Sequence, residues 1–150
     1  MNRPMPLIDK TLLVSPFLCF TILVSAQTPS PSVTPSTLKT GEQVYLETCY
    51  VCHGPGLAKA PRFGDKVVWG KLIKEGQPVL TSHGWVGVRG MPAKGGRPDL
   101  TLEEFARATV WMARAGGASW TDPDEAMMAR IRQEERKRMK ALKKDDAAKN

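Results

Sequence analysis

Cys49-Tyr50-Val51-Cys52-His53 is the stretch on which the reading of this chain turns: two cysteines separated by two residues, with a histidine directly after the second. On a helical turn that spacing brings both sulfurs to one side. There each can add across a vinyl group of a single porphyrin, while the next residue presents its imidazole to the iron, so C-x-x-C-H reads as the attachment run of c-type haem. Two other chemistries use a C-x-x-C pair, a redox dithiol and half of a zinc site. The first wants a βαβ setting that the flanking sequence lacks. The second needs two further ligands, for which the only histidines are His53 and His83.

Working outward, the iron needs a ligand on its second face, and a Met/His pair accompanies a raised potential in electron-carrying haem proteins. Met91 is the candidate. It stands in Arg89-Gly90-Met91-Pro92, within a run holding Gly84, Gly87, Gly90, Gly95 and Gly96, which would make a poor core segment but lets the backbone approach a flat cofactor. Met112 falls at core spacing on a helix, and Met127, Met128 and Met139 belong to a charged tail. His83 is the rival ligand, one that would lower the potential.

The elements around the motif are helical. We expect an amphipathic helix over 38–50, glycine-rich loops over 54–64, a short helix near 66–75, a turn or helix around 78–83, and a terminal helix over 101–114. That last helix carries Leu102, Phe105, Ala106, Thr109 and Val110 at helical period, Asp99 or Thr101 as cap, and Gly116-Gly117 as its stop. Strand alternation is absent, so the fold class is all-α, a small helical domain wrapped around one covalent haem.

Four segments follow. Residues 1–26, with Arg3 and Lys10 before an apolar run and Val24-Ser25-Ala26 after it, read as a cleaved secretory signal, and an uncleaved membrane anchor is the alternative. Residues 27–37, QTPSPSVTPST, read as an extended linker. The haem domain spans 38–120. Residues 121–150 form a charged tail, helical or partly disordered, which opens on a capping stretch, Thr121-Asp122-Pro123-Asp124-Glu125. Its apolar stripe of Met128, Ile131, Met139 and Leu142 is interrupted by Glu135, and the expected fate of such a helix is solvation.

The whole chain carries 22 basic and 15 acidic residues, a formal charge of +7. The first 26 residues hold only Arg3, Lys10 and Asp9 among these, so the exported chain stays basic. Lys59, Arg62, Arg89, Lys94 and Arg97 are expected to border the haem and to steer redox partners with acidic docking surfaces. Nucleic acid is not an expected partner, because the chain is exported and shows no binding motif for it. The tail cations from Arg130 to Lys144 offer a route to peripheral contact with anionic lipid, diluted by the carboxylates among them.

These residues resemble a known family, the class I cytochromes c, and within it the bacterial cytochrome c-five group. The likeness spans 38–120 and rests on Gly41 and Tyr45, Cys49-Tyr50-Val51-Cys52-His53-Gly54, Ala60-Pro61-Arg62, Gly64-Asp65, Trp69, Gly76, Met91-Pro92-Ala93-Lys94-Gly95-Gly96, Val110-Trp111-Met112 and Gly116-Gly117. The resemblance implies that the first and last helices of the domain cross closely at Gly41, with Tyr45 packing near Trp111. It implies that the Pro61 carbonyl accepts a hydrogen bond from His53. It also implies that Trp69 lies beside the haem, its indole within reach of a propionate or buried without such a bond. An additional disulfide found in some members has no cysteines here, and the linker and basic tail are departures.

With Cys49, Cys52, His53 and Met91 holding one haem c, and Pro61 and Trp69 supporting it, no iron position is left for a substrate. The expectation is a periplasmic one-electron carrier and not an enzyme. The alternatives are a haem subunit of a larger oxidoreductase, or a haem-based sensor or peroxidase with a labile sixth ligand.

Overall fold

Thr40 caps the first helix. Its hydroxyl accepts from the Gln43 backbone N–H while the Gln43 side chain accepts from the Thr40 backbone, a reciprocal cap that starts α1 at Gly41–Val44. The computed structural model describes residues 38–149; the expected signal segment and the whole of the Pro/Ser linker lie outside the described residues. Helix α1 runs into a π-helical turn, Tyr45–Cys49, and then into α2, Tyr50–His53. The first helix therefore starts and ends about three residues later than the sequence suggested, and it contains the whole haem-attachment run.

Helix α3 (Lys66–Ile73) is capped by Asp65, whose carboxylate accepts from the backbone of Val67 and Val68. Helix α4 (Gln77–Val86) has proline in its first turn, where the missing N–H costs nothing. It is longer than the turn or helix expected around 78–83. Helix α5 (Leu102–Ala115) is capped by Thr101 through a second reciprocal box with Glu104; Asp99 instead pairs with Arg97. At its end Gly117 takes φ +103°, and Ala118 N–H returns to the Ala113 carbonyl, so the stop expected at Gly116-Gly117 is present. Among the described residues there is no strand, only an isolated bridge between Val88 and Met91.

Helix α5 is the axis of the core. Phe105, Ala106, Ala108, Thr109, Val110, Met112 and Ala113 are all buried, more than one face of a helix can hold, so neighbours must cover it on several sides. On one side α1 crosses it at Gly41, where an added Cβ would stand 2.3 Å from the Arg107 carbonyl oxygen and 3.1 Å from the Trp111 Cβ. The close crossing expected from the family resemblance is thus observed. Tyr45 is buried in the same core, against which Trp111 packs, and its ring stacks on Phe63, with centroids 4.6 Å apart.

On the other side lies the tail. It forms α6 (Glu125–Lys149), capped by the Asp124 carboxylate on the Met127 N–H. It is not a solvated helix. It packs along α4, Ile131 is fully buried, and Met128 and Ile131 join Ala106 of α5 in a second apolar cluster. Among the described residues no helix is long and apolar enough to cross a membrane.

Candidate functional site

The π turn has a consequence for the motif. A turn that holds one residue more than the usual 3.6 rotates everything after it by about 100° relative to a regular helix. Gly41 and Val44 before the turn and Tyr45 at its start are buried in the core, whereas Cys49 at its end and Cys52 and His53 after it line a cavity. That cavity measures about 660 Å³, a volume in the range of cofactor sites.

Cys49 and Cys52 are not bonded to each other. Burial, then the neighbouring Cys52, pushes the Cys49 thiol up to about 11, so it is protonated at neutral pH. A reactive redox dithiol needs the opposite shift. Among the described residues no three side chains of the His, Cys, Asp and Glu type are grouped to hold a metal ion. A protonated, buried thiol beside a large apolar cavity fits thioether attachment instead.

His53 is 7% exposed, and its Nδ1 lies 2.9 Å from the Pro61 carbonyl oxygen. A carbonyl can only accept, so Nδ1 carries a proton, and in the neutral ring this is the tautomer whose Nε2 lone pair can bind iron. Trp69 is buried, its ring 6.3 Å from that of His53, and it lines the cavity. Its indole N–H donates to the Arg62 carbonyl at 2.8 Å, so of the two expectations for Trp69 the one met here is burial without a propionate bond, and the contact closes the loop ahead of α3.

Met91 reaches the same cavity from the loop after α4. Paired backbone hydrogen bonds with Val88, at 2.9 and 3.1 Å, hold the loop, and Gly84 leaves room for the Phe105 ring beside it: an added Cβ there would sit 2.9 Å from that ring and in ordinary contact, 3.5 Å, with the Met91 methyl. His83 lines the cavity too, but its Nδ1 donates to the Glu75 carboxylate at 3.0 Å. Of the five loop cations, only Lys59 and Arg89 border the cavity. Lys94 lies over the Trp85 ring at 4.6 Å, Arg97 pairs with Asp99, and Arg62 offers its carbonyl to Trp69.

Sequence reasoning missed two residues. Glu135 accepts from Trp85 Nε1 at 2.8 Å, and Arg138 lines the cavity and donates to the Gly87 carbonyl at 3.2 Å. With Met128 and Ile131 they follow helical spacing, so the docked stripe was present in the sequence but concealed by its polar members.

A helical shell enclosing one apolar cavity, with both cysteines and the histidine of C-x-x-C-H on its wall, defines a small protein built around one covalently attached haem. Similarity to known proteins carries this further. The family model for cytochrome c oxidase, cbb3-type, subunit III matches residues 36–112. Cytochrome c-555 of Chlorobaculum thiosulfatiphilum is 38% identical over 76 residues, covering 48% of this chain and 88% of that protein. Cytochrome c5 of Azotobacter vinelandii is 33% identical over 72 residues, covering 47% and 87%. A solved electron-transfer complex of nitrite reductase with cytochrome c contains a chain 33% identical, at TM-score 0.49, covering 51% of this chain and 93% of that one. The chain belongs to the cytochrome c family. Its cofactor is one covalently attached haem c, its fold is that of the class I members, and it functions as an electron-transfer cytochrome.

Proposed function

We propose that this chain carries single electrons between protein partners in the periplasm, with its haem tethered through Cys49 and Cys52 and its iron held between His53 and Met91. The observation that carries the reading is the convergence of these four side chains on one cavity of about 660 Å³. Haem supplies the reversible one-electron couple. The protein supplies rigidity: Pro61 fixes the imidazole and its proton, and the Val88 pairing fixes the loop that bears the thioether. Two protein ligands leave no place for a substrate, which favours transfer over catalysis.

Partners meet the molecule where the cavity opens. Val51 and Leu57, 65% and 57% exposed, flank the attachment run with apolar surface, and Lys59 and Arg89 add positive charge. That combination suits a partner with an acidic rim. A second reading, a haem subunit of a larger oxidoreductase, draws support from the matched family model, which is named for an oxidase subunit. Copurification with a partner at fixed stoichiometry distinguishes it from a free carrier.

Visible spectroscopy of the holoprotein tests the ligand set. The oxidised protein should show the thioether-to-iron charge-transfer band, lost in Met91→Ala and retained in His83→Ala. Persistence of the band in the Met91 variant would overturn the assignment. Ready carbon monoxide binding by the reduced wild type at neutral pH would favour a sensor or peroxidase with a labile ligand.

A further inference from the structure

We infer that Arg138, on the C-terminal helix, is part of the cofactor site and neutralises the carboxylates of the bound haem. The inference rests on the reading that haem occupies the cavity lined by Cys49, His53 and Met91. Arg138 lies outside the segment matched by the family model, on an element that sequence alone assigned to solvent.

Four observations converge on it. Arg138 borders the cavity, and its Nη2 donates to the Gly87 carbonyl at 3.2 Å, which aims the guanidinium at the loop leading to Met91. Its Nε is buried and has no hydrogen-bond partner among the described residues. No ion pair includes it there. Lys137, its neighbour in sequence, pairs with Glu134, whereas Glu135 is committed to Trp85 and Glu75 to His83. Lastly, the cavity wall carries three permanent cations, Lys59, Arg89 and Arg138, against the single carboxylate of Glu75.

A guanidinium partly withdrawn from water, with a donor unspent, is costly unless an anion answers it. The planar fork of arginine matches a carboxylate, and haem brings two of them as propionates. Burial of Ile131 and the Trp85–Glu135 bond hold α6 against the body, so the cation is positioned in advance. A fixed positive charge beside the haem favours the reduced state, which carries one positive charge fewer.

The test uses holoprotein with covalently retained haem. Spectroelectrochemical titration at neutral pH should show Arg138→Gln lowering the midpoint potential, with the reduction equilibrium constant falling by about threefold to tenfold; tenfold corresponds to about 59 mV for one electron. Arg138→Lys should recover most of the loss. Lys137→Gln, which removes the same charge from the outer face of α6, should leave the potential unmoved. In Arg138→Lys, which keeps the charge, redox-difference infrared spectra should show shifted propionate carboxylate bands. An unmoved potential in Arg138→Gln, an equal fall in Lys137→Gln, or unshifted carboxylate bands overturns the role of Arg138 while leaving the haem assignment intact. Wild-type protein that retains no haem removes both.

Discussion

Trp85 on α4 and Glu135 on α6 are joined by a 2.8 Å hydrogen bond from the indole Nε1 to a carboxylate oxygen. The bond fastens the C-terminal helix beside the loop that carries Met91. The same indole ring packs edge-on against Phe105, 5.6 Å between centroids, and has the Lys94 ammonium above it. One tryptophan therefore links the tail, the core helix and the loop.

Removing the acceptor should loosen the tail. Glu135→Ala leaves the indole N–H without its partner and should destabilise the holoprotein by about 1–3 kcal/mol, whereas Glu135→Gln keeps an acceptor and should lose less. Ile131→Ala, at a fully buried position, should cost about 2–5 kcal/mol. Chemical denaturation followed by the haem absorbance and by far-ultraviolet circular dichroism reads both; a tail that merely floats would leave every midpoint unchanged.

Gly41→Ala should be among the most damaging single-methyl changes in the chain. Its Cβ would stand 2.3 Å from the Arg107 backbone oxygen, so α1 and α5 must separate. We expect a loss of about 1–3 kcal/mol or more from overpacking. Gly70→Ala is the counterpart. An added Cβ within α3 meets nothing within 4 Å, and the gain in helix propensity should stabilise by about 0.5–1 kcal/mol.

Glu104 makes the join between α1 and α5 sensitive to acid. Burial pushes its carboxyl up, but the backbone N–H groups of Thr101 and Lys39, with the Thr101 hydroxyl, outweigh burial and hold it below its ordinary value. A carboxyl depressed on folding contributes stability that is present above its unfolded value near 4.5 and is lost as pH falls through the lower folded value. Glu104→Gln should therefore flatten the stability-against-pH curve below about pH 4.5. Equal acid slopes in the two proteins would contradict this.

Asp99 works in the same direction at the surface. The Arg97 guanidinium, bonded to it at 2.7 and 2.9 Å, and its own backbone hold its carboxyl at about 2. Its contribution is present above the ordinary value of 3.8 and fades toward pH 2. Solvent and salt screen so exposed a pair, so the Asp99→Asn effect should be small and should shrink further at high salt. Titration of the wild-type carboxyl by nuclear magnetic resonance checks the depressed value directly.

The local chemistry was determined by sequence alone. C-x-x-C-H acts through neighbours on one helical turn, the caps at Thr40, Asp65 and Thr101 act within three residues, and the Gly116-Gly117 stop is a backbone property, so none of these depends on what packs where. Long-range partners were decided by the tertiary structure. Whether the Trp69 indole turns to Arg62 or to a cofactor, whether Tyr45 also stacks on Phe63, and which loop cations reach the cavity depend on surfaces brought together from distant parts of the chain. The tail shows the difference most plainly. Its stripe contains Glu135 and Arg138, and a polar residue on a helix face signals solvent unless a distant donor or acceptor answers it; Trp85 and Gly87 do so, and only the fold brings them there.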